Sequence, residues 1–193
     1  NGGFALSVAR SYNNWTYSYS LNDDGKTMLG PKWHLNYEMH LEKVTDAEDM
    51  ILRHASGDQT ILFYDSASGH WKSSASQGFA VELEEITGGY RLTTPDPAIW
   101  YDFNTVGKLT VMRAPNGNTV QLVYDTGQLV RAEFSHETND IDDRYLGFEY
   151  VTTGTTTRLN KVRRSWDNGV AVEYCYDTSD TLAEIRNGRG ETV

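Results

Sequence analysis

The chain has 193 residues and a formal net charge of −10, from 17 basic and 27 acidic side chains. Such a surface repels phosphate backbones and argues against a nucleic-acid partner. No apolar run approaches the ~20 residues of a membrane span, so no membrane insertion is expected. The length suits one domain or one continuous repeat array, which at this size buries roughly 70% of its unfolded surface. The single cysteine, Cys175, excludes an internal disulfide framework and has no His near it in sequence to activate it. Asn1-Gly2-Gly3-Phe4 is neither an initiator Met nor a basic-then-apolar leader, so the chain is expected to be a piece of a longer protein.

Period-2 alternation, the mark of a half-buried strand, runs through the sequence. Phe4, Leu6 and Val8 share one face, and Trp15, Tyr17, Tyr19 and Leu21 alternate with polar neighbours. Trp33, Leu35, Tyr37, Met39 and Leu41 alternate with His34, Asn36, Glu38, His40 and Glu42, which predicts one long strand with a polar outer face. Residues 42–49 read either as a helix, with Leu41, Val44 and Ile51 near helical spacing, or as a hairpin turn at 46–49. Phe79, Val81 and Leu83 come next, then Val120, Leu122 and Tyr124, then Val170, Val172, Tyr174 and Tyr176, with Cys175 sharing the opposite face with Ala171 and Glu173. A slip of one residue would turn any of these sets toward water, so register is well specified. Asp24-Gly25, Gly88-Gly89, Asn116-Gly117, Asn168-Gly169 and Asn187-Gly188 supply turn chemistry between strands. The short spacings favour antiparallel hairpins, because parallel crossovers need a dozen or more residues.

The second half repeats itself: an aromatic residue, often Asp, a turn, then Leu and an apolar residue three further on. Phe103-Asn104 leads to Leu109 and Met112, Tyr124-Asp125 to Leu129 and Ala132, Tyr150 to Leu159 and Val162, and Tyr176-Asp177 to Leu182 and Ile185. The leucines recur at 20, 30 and 23 residues. The third unit carries the longest insertion, an acidic loop at 135–145 that is expected to project. One hairpin cannot bury its apolar face alone, but stacked hairpins can, with ladders of Tyr and Leu sealing a common layer.

This pattern resembles the YD repeats of the Rhs (rearrangement hotspot) family. Ala9-Arg10-Ser11-Tyr12-Asn13, with Leu29-Gly30-Pro31-Lys32-Trp33-His34-Leu35-Asn36-Tyr37, is similar to the opening of the Rhs-type shell, and Gly89–Asp96 through Tyr101-Asp102-Phe103 to its closing strands. The chain departs from the pattern at Pro97, at Tyr150 with no following Asp, and before Leu182, where no Gly stands. The resemblance implies an all-β fold in which antiparallel hairpins stack into a long curved sheet with little or no helix and at least one open edge. It implies an N-terminal shell region over 1–100 and about four YD repeats over 101–193. It also implies a secreted or cell-surface location and a non-catalytic role: a wall segment that, with the remainder of its shell, encloses a C-terminal toxin effector. Open edges would allow self-association.

No residue set compels a catalytic, cofactor or metal assignment. Glu82 and Glu84 share a polar strand face with Glu85 beside them, which reads as solvated surface. Asn139, Asp140, Asp142 and Asp143 lack the glycine and trailing Glu of a calcium loop. His34, His40, His54, His70 and His136 are scattered, and at strand rise His34 and His40 would stand roughly 20 Å apart. The alternative role is an extracellular carbohydrate- or receptor-binding module. Trp15, Trp71, Trp100 and Trp166 separate the two readings: buried rings favour a wall, and rings lining an open groove favour a binding module. Asn14-Trp15-Thr16 is a glycosylation sequon in a eukaryotic secretory host.

Overall fold

The computed structural model describes residues 6–13, 28–30, 32–45, 47–74, 80–95, 98–135 and 144–193. The expectations placed on Phe4, on 14–21, on Asp24-Gly25, on Phe79, on Pro97 and on the acidic loop at 136–143 lie outside them. Every element among the described residues is a strand. A small ribbon pairs β1 (Arg10–Tyr12) with β2 (Trp33–Leu35). One 14-stranded antiparallel sheet follows in strict chain order. Its first half runs β3 (His40–Lys43), β4 (Met50–Arg53), β5 (Gln59–Asp65), β6 (His70–Ser73), β7 (Glu82–Ile86), β8 (Gly89–Thr93) and β9 (Trp100–Asn104). It continues through β10 (Leu109–Arg113), β11 (Thr119–Asp125), β12 (Gln128–Ser135), β13 (Tyr145–Thr153), β14 (Thr156–Arg164), β15 (Val170–Tyr176) and β16 (Leu182–Asn187). The ambiguous stretch at 42–49 is a hairpin: β3 and β4 pair from His40↔Arg53 to Lys43↔Met50.

The turns explain the meander. Five of them, His54–Asp58, Asn104–Lys108, Ala114–Asn118, Asp177–Thr181 and Asn187–Glu191, share two backbone hydrogen bonds: the first residue's N–H to the fifth carbonyl, and the fourth N–H to the first carbonyl. The fourth residue is left-handed in each, Gly57, Gly107, Gly117, Asp180 and Gly190. This is the type I turn followed by an αL residue that suits twisted hairpins. Asp180 fills the place of the glycine missing before Leu182. Asn104, Asp177 and Asn187 each accept two forward N–H bonds with the side-chain oxygen, the local role expected of the residue after the aromatic. The Asn187 turn follows β16 and brings Thr192 back against Arg186, so it does not join two long strands.

Each repeat is one hairpin in which the aromatic faces the leucine: Phe103↔Leu109, Tyr124↔Leu129, Tyr150↔Leu159 and Tyr176↔Leu182. A β-bulge follows each leucine, with Thr110, Val130, Asn160 and Ala183 as the extra residues. A bulge bends its strand and re-aims the neighbouring groups. The tyrosines then stitch each hairpin to the one before it. Tyr124 Oη donates to the Leu109 carbonyl at 2.9 Å, Tyr150 Oη to Leu129 at 2.9 Å, and Tyr176 Oη to Leu159 at 2.7 Å. Leu109, Leu129, Ala132, Leu159 and Val162 are buried, and Tyr124, Tyr150, Tyr176 and Leu182 pack against them, so the Tyr and Leu ladders do seal one interior layer.

The predicted single strand through 33–42 is instead two strands separated by a turn. Glu38 N–H donates to the Leu35 carbonyl at 3.0 Å, which ends β2. The alternation breaks there, and His34, Glu38 and His40, expected on a solvated face, are buried. Among the described residues each sheet edge is met only at isolated points. The sheet curls until Leu41 N–H meets the Gly107 carbonyl at 2.9 Å and His40 bridges Lys108. At the far end Val193 N–H donates to the Ile185 carbonyl.

Replacing Tyr124, Tyr150 or Tyr176 singly by Phe should cost about 1 kcal/mol each in urea unfolding. Tyr12→Phe, at an exposed ring, should cost nothing measurable. Gly107 combines φ +82° with a neighbour that would lie 2.0 Å from any Cβ, the Leu41 carbonyl oxygen. Gly107→Ala should therefore cost at least twice the about 1 kcal/mol expected of Gly154→Ala, where left-handed backbone is the only penalty.

Candidate functional site

The most unusual chemistry among the described residues lies where residues 28–30 and 32–39 pack into the core of the sheet. Met28, Leu29, Leu35 and Tyr37 are fully buried there. The β14–β15 ladder stops at Lys161, and both peptide groups of Leu159 find partners outside it. Leu159 N–H donates to the Met28 carbonyl at 2.8 Å, and the Leu159 carbonyl receives the Tyr176 hydroxyl. Tyr37 meets Phe148 edge-on with centroids 5.8 Å apart, and its hydroxyl donates to the Ser7 carbonyl at 2.8 Å. The Tyr150 hydroxyl lies 3.3 Å from Met28 Sδ.

Glu38 ties this segment together. Its Oε1 accepts the Met28 N–H and its Oε2 the Leu35 N–H, both at 2.7 Å. A glutamate whose side chain and own N–H both reach three residues back, to that residue's N–H and carbonyl, follows the logic of a capping box, used here to close a turn. Glu38 as a whole residue is 1% exposed. Burial pushes its pKa up to about 7, against the lowering effect of the two N–H donors. His34 Nδ1 stands 4.0 Å from Oε2, and burial holds the His34 pKa below its ordinary value. Burial also raises Tyr124, Tyr150, Tyr174 and Tyr176, Tyr174 to about 12, and the charge of Glu38 adds to each shift. Among the described residues the buried Tyr174 hydroxyl has no hydrogen-bond partner. Sequence alternation placed Glu38 on the solvated face; the signal available to correct it was the Leu35-Asn36-Tyr37-Glu38 spacing itself.

A second acidic cluster holds the sheet edge. Glu42 receives Arg53 through Nε at 3.1 Å and Nη2 at 2.9 Å, and His40 Nε2 lies 3.0 Å from its other oxygen. The His40 bond, with help from Arg53, lowers Glu42 to about 2. Arg53 also reaches Gln59.

The remaining sequence candidates stay apart. Glu82 pairs with His70 at 2.7 Å, Glu84 faces Arg91, and Glu85 faces Tyr90. Among the described residues no group of three or more His, Cys, Asp or Glu side chains is placed to hold a metal ion. Cys175 is half-buried. Trp166 is exposed, Trp100 is half-buried, and Trp15 lies outside the described residues. Trp71 packs between Tyr64 and Tyr90, with centroids 5.1 and 5.9 Å away, and its Nε1 donates to the Glu48 carbonyl at 2.6 Å. These three rings, with Lys43, Met50 and Glu85, line a groove of about 350 Å³.

A family model described as a domain of unknown function (DUF6531) matches residues 1–62. This stretch covers β1 to β4 and the Met28–Met39 segment, so the N-terminal third of the chain is similar to that domain. Comparison with curated proteins gives no match.

Glu38→Ala leaves two buried N–H groups without an acceptor and should lower stability by about 3 kcal/mol. Glu38→Gln keeps one acceptor but turns an N–H₂ group toward the other donor, so its loss in the same urea titration should be smaller.

Proposed function

We propose that the chain is a wall segment of a Rhs-type, YD-repeat shell, secreted or displayed at the cell surface, that encloses a C-terminal toxin effector and is not itself an enzyme. On this reading residues 1–100 form the N-terminal shell region and 101–193 the repeats, and the partners are the rest of the shell and its cargo. The observation that supports it best is the four-fold recurrence of one hairpin, with the same aromatic–leucine pair and the same bulge. A unit that binds chiefly to its own neighbours can be added without limit, which is what a wall requires. Leucines and aromatics make up the buried layer, while ion pairs such as Lys161–Glu173 and Arg163–Glu149 are partly exposed.

The reading is tested in the complete polypeptide of the parent reading frame. Its C-terminal tail should resist protease until the shell is unfolded. Digestion of the tail at the rate of the free tail would end the proposal.

The Trp71 groove favours a second reading, a carbohydrate- or receptor-binding module. Tyr and Trp present large rigid ring faces with polar edges, and Lys43 and Glu85 stand beside them as polar partners. Saturable quenching of tryptophan fluorescence by simple pyranosides, lost in Trp71→Phe, would support this reading. No quenching by any of them, together with an empty glycan array, would remove it.

A further inference from the structure

We infer that the Trp71 groove takes a quaternary ammonium group, held on ring faces and by carboxylates. The inference rests on the second reading above, that this groove binds a ligand. One row of side chains builds it: Lys43 of β3, Met50 of β4, Tyr64 of β5, Trp71 of β6, Glu85 of β7 and Tyr90 of β8. Cross-strand pairs join them, Lys43↔Met50, Tyr64↔Trp71 and Glu85↔Tyr90. Each except Trp71 stands two residues from a buried leucine, Leu41, Leu52, Leu62, Leu83 or Leu92, and so shares its strand face. Trp71 lies directly opposite Leu83. Alternation reserves that face for apolar side chains, yet charged Lys43 and Glu85 stand on it, at the exposed end of the leucine layer.

The rings are tilted against one another rather than stacked, by 54° between Tyr64 and Trp71 and 80° between Trp71 and Tyr90. Their faces therefore look in different directions, as in the aromatic cages that surround methylated cations. Trp71 has already spent its only donor, because Nε1 bonds the Glu48 carbonyl. What the indole still offers a ligand is the negative face of its π system. Glu48 and Glu85 stand beside the rings as exposed acids, and among the described residues neither joins an ion pair. Lys43 is the single cation against these two carboxylates, so the lining is net negative. The chain's charge of −10 draws cations to it as well. A quaternary ammonium suits such a lining, since it has no N–H to satisfy and sheds water readily onto ring faces.

Indole N–H resonances of the whole chain, followed by NMR at constant ionic strength, read this directly. The probes are choline and its uncharged tert-butyl isostere. Choline should shift the Trp71 indole saturably and leave exposed Trp166 unmoved. It should bind roughly fivefold more tightly than the isostere, or better. Glu85→Gln should weaken choline binding about threefold, and Lys43→Met should strengthen it. Both positions are exposed, so neither change threatens the fold. Co-sedimentation with phosphatidylcholine vesicles would assign the cation to a membrane headgroup, and binding of free choline alone would assign it to a soluble molecule; both support the proposal. Equal binding of choline and isostere, an unchanged affinity in Glu85→Gln, or loss of binding in Lys43→Met would each overturn it. A Trp71 response to pyranosides without one to choline overturns it and leaves the second reading standing, whereas silence toward both overturns it along with that reading.

Discussion

The structure depends on a hydroxyl meeting a carbonyl across a bulge. In an ordinary antiparallel ladder the peptide groups are spent on the flanking strands, and side chains contribute only by packing face to face. Here an extra residue after each repeat leucine, Thr110, Val130, Asn160 and Ala183, interrupts that regularity once per hairpin. Tyr124, Tyr150 and Tyr176 occupy the opening by reaching back to Leu109, Leu129 and Leu159. The aromatic thus does two things at once. Its ring closes its own hairpin against the facing leucine, and its hydroxyl fixes the register of that hairpin on its predecessor. Phe103, which opens the series, keeps the first role without the second.

Bending follows from the bulges, and a hollow follows from bending. A flat sheet with this much apolar surface on one face would need a partner layer along its whole length. The curled sheet meets itself instead, at Leu41 and Gly107, and fills what remains with residues from Met28 to Leu41. The filling segment carries backbone groups into an apolar interior, and such groups require partners. Glu38 satisfies two of them, at the cost of placing a carboxyl where its charge is poorly solvated. That tension sets Glu38 apart from Glu42, which meets Arg53 and His40 at the partly wetted edge and stays ionised far into acid.

The ladders and most turns were legible because they rest on short-range chemistry: a period of two, Asn-Gly pairs, and Asp or Asn after an aromatic. Tyr64-Asp65 obeys the same rule in the first half, with Asp65 accepting the Ala67 N–H at 3.1 Å, but Trp71 stands where a leucine would, which hides the unit in the sequence. The bulges were not legible, since Thr, Val, Asn and Ala are unremarkable strand residues and nothing local marks the extra one. The run from Trp33 to Glu42 misled for a physical reason. Its alternation is real, but a turn at Asn36–Tyr37 interrupts it, and the Met28 and Leu35 amides together explain why Glu38 belongs inside. The candidate site was therefore invisible to periodicity, being made by contacts between residues far apart in the chain.

Hydroxyl-proton exchange measured by NMR tests the stitching most directly. Tyr124, Tyr150 and Tyr176 should show slowly exchanging hydroxyl resonances in water, each with a through-space contact to the leucine one repeat back, while exposed Tyr12 shows none. Rapid exchange at all four hydroxyls, with no such contacts, would mean that the hairpins are held by packing alone and that the repeat has no register device of this kind.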